Sequence, residues 1–161
     1  MKRPLRIVLL ALVAALAACG GSSGPKLGFP SGVKAQTHDV GGGWKVAWGS
    51  AGSNAYAVAL HGKEVVRSLA LKLRVLGPDP GSAAAAQPQV AVEIRAPTSI
   101  EDSTILVDGR PIDTKGGGPT PNYVSIYGAP AEALSGGRHV AVAFARSGDL
   151  GRAVAWTFTV G

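Results

Sequence analysis

Residues 139–160, HVAVAFARSGDLGRAVAWTFTV, decide the fold. Val140, Val142 and Phe144 recur at every second position, Ser147-Gly148-Asp149 interrupts them, and Val154, Trp156, Phe158 and Val160 resume the same period. A period of two is that of a pleated strand whose alternate side chains share one face, so the stretch reads as two strands joined by a turn. The pattern names these seven residues as the inward side of the hairpin.

The same period extends upstream. Trp44, Val46 and Trp48 alternate with Lys45 and Ala47; beyond a Gly52-Ser53-Asn54 turn region, Tyr56, Val58 and Leu60 alternate with Ala57 and Ala59, which predicts a hairpin over 43–61. Leu69, Leu71, Leu73 and Val75 form the next stripe, with Lys72 and Arg74 opposite, and Val90, Val92 and Ile94 oppose Glu93 and Arg95. Ile105 and Val107 lead into Asp108-Gly109, a dipeptide that tolerates the positive φ of a tight turn, with Arg110 to Asp113 as the return. Tyr123 to Tyr127 is a strand in which Val124 and Ile126 compete with the tyrosines for the inner face. The alanine run 83–86, closed by Pro80, Gly81 and Pro88, is too short for a helix and reads as a loop.

Composition agrees with strands. The chain has 161 residues, 46% apolar and 16% charged, with 23 Gly and 11 Pro, too many helix breakers for a bundle and too much apolar content for a disordered tail. Seven strands between Leu69 and Val160 predict an all-β, Ig-like antiparallel β-sandwich, with the 43–61 hairpin an N-terminal addition that either belongs to the sandwich or covers it; a closed barrel is the alternative with the same patterning.

Residues 1–18 read as an export signal: Lys2, Arg3 and Arg6, then an apolar run from Ile7 to Ala18, shorter than the roughly 20 residues of a spanning helix. Leu16-Ala17-Ala18-Cys19 resembles the lipobox of bacterial lipoproteins. That resemblance implies acylation of Cys19, the only cysteine, and a membrane anchor that does not span. It also implies localisation to the bacterial cell envelope: the outer membrane of a two-membrane host, as Gly20 after the cysteine fits, or the outer face of the cytoplasmic membrane otherwise. Residues 19–36, which begin GGSSGP after the cysteine, read as a flexible tether, and 37–161 as the folded domain. Without the three signal cations, 13 of the 16 Lys+Arg face 10 Asp+Glu, interspersed and unclustered, so a nucleic-acid partner is not expected.

Leu134-Ser135-Gly136-Gly137-Arg138-His139, Val140-x-Val142, Gly151 and Trp156-x-Phe158-x-Val160 resemble the closing strands of bacterial Ig-like domains, and Val107-Asp108-Gly109 resembles their hairpin. Such domains serve adhesion, spacing, assembly and enzyme-accessory roles. The resemblance implies a structural place for His139, a ring nitrogen bonding main chain at a strand corner. The turn Arg146-Ser147-Gly148-Asp149-Leu150-Gly151 departs from the family's aspartate-containing form, so no calcium site is carried over.

No nucleophile-elbow, phosphate-loop or zinc-protease string is present. His38, His61 and His139 lie on different segments, which disfavours a shared metal site, and no cofactor is expected. Glu101 and Asp102 are neighbours in a loop, whereas the carboxylates of a glycosidase flank a substrate from separate elements. Trp44, Trp48 and Tyr56 read as core, or as a ligand platform on which sugar rings could stack. The expected role is a non-catalytic binding, adhesion or structural module with an envelope protein or glycan partner. The rivals are a carbohydrate or cell-wall-binding module, an envelope hydrolase built on Glu101, Asp102 or His61, and a subunit of a larger envelope complex whose sheet edges pair with a partner strand.

Overall fold

The computed structural model describes residues 24–161; Cys19 and the expected signal lie outside them. In chain order the strands are β1 (Gln36–Gly41), β2 (Trp44–Ala51), β3 (Asn54–His61), β4 (Glu64–Val66), β5 (Lys72–Gly77), β6 (Ala83–Ala84) and β7 (Val90–Arg95). They continue with β8 (Asp102–Val107), β9 (Arg110–Pro111), β10 (Thr114–Thr120), β11 (Tyr123–Gly128), β12 (Gly137–Ser147) and β13 (Leu150–Val160). The chain is all-β, as its period-two pattern predicts.

These strands form three sheets: an N-terminal sheet in the order β1-β2-β3-β4, a central sheet β6-β13-β12-β8-β9, and a far sheet β10-β11-β7-β5. The central and far sheets make an Ig-like sandwich. The far sheet follows the D-E-B-A order of Ig domains, β8, β12 and β13 take the C, F and G positions, and β6 adds in parallel beside β13. The sheets are open and pack face to face, so the closed barrel does not apply.

The addition is a four-stranded meander rather than a hairpin, and it does not cap an end. It lies on the outer face of the central sheet as a third layer. Leu71, Val92, Ile94, Ile105, Ala141, Ala143, Trp156 and Phe158 fill one interface, between the far and central sheets. Trp44, Val46, Trp48, Leu106, Val142 and Phe144 fill the other, between the central and N-terminal sheets.

Register explains how one sheet serves two cores. Val140 pairs with Thr157, Val142 with Ala155 and Phe144 with Ala153. Cross-strand partners share a face, so the stripe Val140-Val142-Phe144 and the stripe Val154-Trp156-Phe158-Val160 point to opposite sides of the sheet. Both are buried because both sides are covered. The positions between them are largely alanine, as expected of strands buried twice.

Two other sequence expectations are corrected: Ala83 and Ala84, expected in a loop, form β6, and Leu69, expected in a stripe, is 82% exposed while Leu71 is fully buried; Thr114–Thr120, with no apolar pattern and no expectation attached, forms β10. On β11, Ile126 is the buried residue and Tyr127 is exposed.

The segment expected as tether is not free throughout. Leu27 and Phe29 pack against Ala47, Val58 and Leu60, covering the face of the N-terminal sheet that turns away from the central one. Two ring contacts dock the N-terminal sheet. A Cβ on Gly151 would sit 2.1 Å from the Trp44 ring, and one on Gly109 would sit 2.9 Å from the Trp48 ring, so each indole lies against main chain that only glycine leaves bare.

Candidate functional site

The aromatic platform is divided by the sheet that carries it. The two-residue turn Gly52-Ser53 sets Ala51 against Asn54, which places Trp44 opposite His61, Val46 opposite Ala59, and Trp48 opposite Ala57. Tyr56 pairs with Gly49 and therefore faces the other way, toward Phe29, with ring centroids 6.0 Å apart. Trp44 and Trp48 are 2% and 5% exposed, and Trp44 packs on Phe144 at 5.9 Å. The three rings share no surface, and the tryptophans cannot stack on a sugar. This corrects the glycan-platform expectation for Trp44 and Trp48.

The histidines lie apart. His38 is on β1 opposite Val46, His61 stacks on Trp44 at 4.5 Å, and His139 is buried at the start of β12. Among the described residues no three His, Cys, Asp or Glu side chains gather as a metal would require.

His139 carries the most developed polar geometry. Its Nδ1 lies 2.7 Å from Asp108 Oδ2 and its Nε2 lies 2.8 Å from the Ser135 carbonyl oxygen. Both partners accept, so this geometry favours the imidazolium, in which both ring nitrogens donate. Burial works against that charge, but the hydrogen bond and charge of Asp108 together with the Ser135 carbonyl outweigh it, and the pKa lies above the ordinary value. An imidazolium held this way has no lone pair with which to bind a metal or accept a proton.

Asp108 sits in the expected tight turn, with φ of 50° followed by 78° at Gly109. Its N–H donates to Val140 O and its Oδ1 accepts from Val140 N–H, which ties the β8–β9 turn to β12. The main-chain bond expected at His139 is therefore present, and Asp108 is the partner that sequence reasoning missed. A cavity of about 520 Å³ opens beside the pair, lined by Arg110, Pro111, Ile112, Pro130 and Leu134 among others.

Glu101 and Asp102 are likewise committed. Glu101 Oε2 accepts from Arg146 Nη1, Glu101 Oε1 accepts from Gly148 N–H at 3.0 Å, and Asp102 Oδ2 lies 3.9 Å from Arg146 Nε. Glu101 thus pins the β12–β13 turn, and Asp102 begins β8 rather than preceding it. His61 belongs to neither group.

One further cluster escaped sequence reasoning. On the outer face of the far sheet, Glu93 accepts from Arg74 at 2.8 Å, from Arg95 at 3.0 Å and from the Tyr123 hydroxyl at 2.9 Å, while Arg95 stacks over the Tyr123 ring. The Arg74 hydrogen bond leads in holding the carboxyl at about 2; burial opposes it, and Tyr123 and Arg95 assist. Arg74 and Glu93 are direct cross-strand partners. Their opposite charges on the polar faces of the paired strands β5 and β7 were the available signal.

No family model matches the sequence, and no curated protein matches it. Among solved structures the chain is similar to titin Ig tandem domains A164-A165, at 6% identity over 74% of this chain and 62% of that one, with a TM-score of 0.37. The match thus spans under two thirds of that structure, and the architectural assignment rests on strand order and register. The chain is an all-β protein whose strands β5 to β13 form an Ig-like sandwich.

Proposed function

We propose that the protein is a lipid-anchored, non-catalytic Ig-like module of the bacterial cell envelope, held at the membrane through Cys19 and acting by binding. The single observation that carries the reading is the sequence Leu16-Ala17-Ala18-Cys19 following a cationic start and a short apolar run. Acyl chains contribute about 0.8 kcal/mol per buried methylene, so two or three on Cys19 would hold the chain at a membrane without a spanning segment.

The absence of catalysis has its own support. The imidazole of His139 is spent on Asp108 and Ser135, Glu101 and Asp102 are spent on Arg146, and His61 lies against Trp44. A hydrolase needs a free base or nucleophile facing a substrate; His139 and Glu101 are held by hydrogen bonds, and His61 and Asp102 lie on different strands with no cleft between them among the described residues.

The test is metabolic labelling with a palmitate analogue alongside membrane fractionation of the native chain and Cys19→Ser. The native chain is expected to incorporate label and sediment with membranes, and the variant to lose both. A variant that keeps its label and its membrane fraction would overturn the anchor.

A further inference from the structure

β13 is an edge strand for most of its length. β6 pairs with it only at Thr159 and Val160. At the other end Ser68 N–H donates to Gly151 O at 3.2 Å, and Gly81 N–H donates to Thr157 O at 2.7 Å. Gly151, Thr157 and Thr159 therefore turn main-chain groups away from β12. Because the register runs unbroken from Leu150 to Val160, the alternation of a pleated strand turns the N–H and C=O of Ala153 and Ala155 the same way. Among the described residues nothing pairs with those four groups.

The N-terminal sheet ends alongside in the same manner. β4 reaches only Ala59 to His61, so the first part of β3 has no neighbour on that side. Two grooves of about 320 and 210 Å³ run between the bare edges and share Ala57, Val58, Arg67 and Ala153. Their walls are largely small and apolar, and Leu69 stands 82% exposed at the mouth. Natural edges are usually blunted by an inward charge, a proline or a bulge, and Ala153-Val154-Ala155-Trp156 has none of these. Arg67 and Arg152 line the groove; they donate to the carbonyls of Leu27, Ser68 and Leu71, and no carboxylate pairs with either among the described residues.

We propose that this groove takes one extended segment of a partner protein, added as a strand along β13, with small or apolar side chains alternating into the groove and a carboxylate at the Arg67–Arg152 end. The proposal rests on the reading of the chain as a binding module and names the chemistry of its partner. A bare stretch from Arg152 to Trp156 offers about 17 Å of strand, enough for a short paired segment. A second copy does not fit. Ser68 and Gly81 occupy the position of the next strand at either end, so the edge is recessed, and two recessed edges would meet at their flanks before their ladders could pair.

The experiment pans a random dodecapeptide phage library against the purified chain in detergent micelles, where the state of Cys19 does not affect the result. Selected peptides are expected to alternate apolar residues and to carry an acidic residue near one end. Each should slow amide exchange at Ala153 and Ala155 by about tenfold or more, read by NMR. Ala153→Pro removes an outward donor without breaking a bond to β12 and should weaken binding by about tenfold or more, while Lys115→Ala on the far sheet should not.

Failure to enrich any peptide, or enrichment of peptides that leave both amides unprotected, would overturn the groove while leaving palmitate labelling unaffected. Protection of the same amides by self-association alone, seen as a concentration-dependent dimer, would overturn it as well. The exchange measurement on the native chain stands even if the proline variant does not fold.

Discussion

At the scale of single residues, His139 and Glu93 make opposite contributions to the pH dependence of stability. The pKa of His139 is raised in the folded chain, so its contribution is fully present below about pH 6.5 and fades as pH climbs through the folded value. The urea midpoint is therefore expected to fall as pH rises above about 6.5, and His139→Gln should flatten that fall and cost about 2 kcal/mol at the acid end. A midpoint as steep in the variant as in the native chain would rule out this role. Glu93 is held at about 2, so its contribution is present above the ordinary carboxylate range and is lost as pH falls toward that value. Glu93→Gln is expected to lower stability at neutral pH and to shrink the loss on acidification, checked by denaturant titration from pH 7 to pH 2. These two sites were unequally legible. A corner role for His139 was implied by the resemblance to bacterial Ig-like domains, but Asp108, 31 residues away, becomes its partner only when the β8–β9 turn is laid against β12.

At the scale of elements, the contacts that join the layers carry the predictions. Gly151→Ala would drive a Cβ into the Trp44 ring, and the N-terminal sheet would have to lift; a loss of about 2 to 3 kcal/mol is expected, with a red-shifted tryptophan emission. Leu27→Ser with Phe29→Ser would uncover Val58 and Leu60, costing about 2 kcal/mol and raising the binding of an apolar dye. An unchanged dye signal would mean that the segment does not cover that face in solution. Elements with a side-chain pattern were legible, and those without one were not. β10, TKGGGPT, has no apolar alternation, and its glycines matter for closeness: a Cβ on Gly118 would lie 1.8 Å from the Tyr123 carbonyl oxygen. Such a strand exists because β11 pairs with it, and its own residues do not announce it.

At the scale of the whole molecule, the central sheet is shared by both cores, so neither outer layer should melt alone. Thermal unfolding followed by tryptophan fluorescence is expected to coincide with far-ultraviolet circular dichroism, since Trp44 and Trp48 report one interface and Trp156 the other. Two separated transitions would show that the N-terminal sheet is an independent unit. The sequence by itself determined that the chain is strand-built and where most strands and turns fall. It also held the parity of the β2–β3 and β12–β13 hairpins, because a two-residue turn commits even positions on one strand to share a face with odd positions on the next. Only the tertiary structure decided what covers each face. A period of two says that a strand has two sides, but it carries no information about the layer that each side meets. The second core and the bare edge of β13 both depend on contacts between residues far apart in the chain.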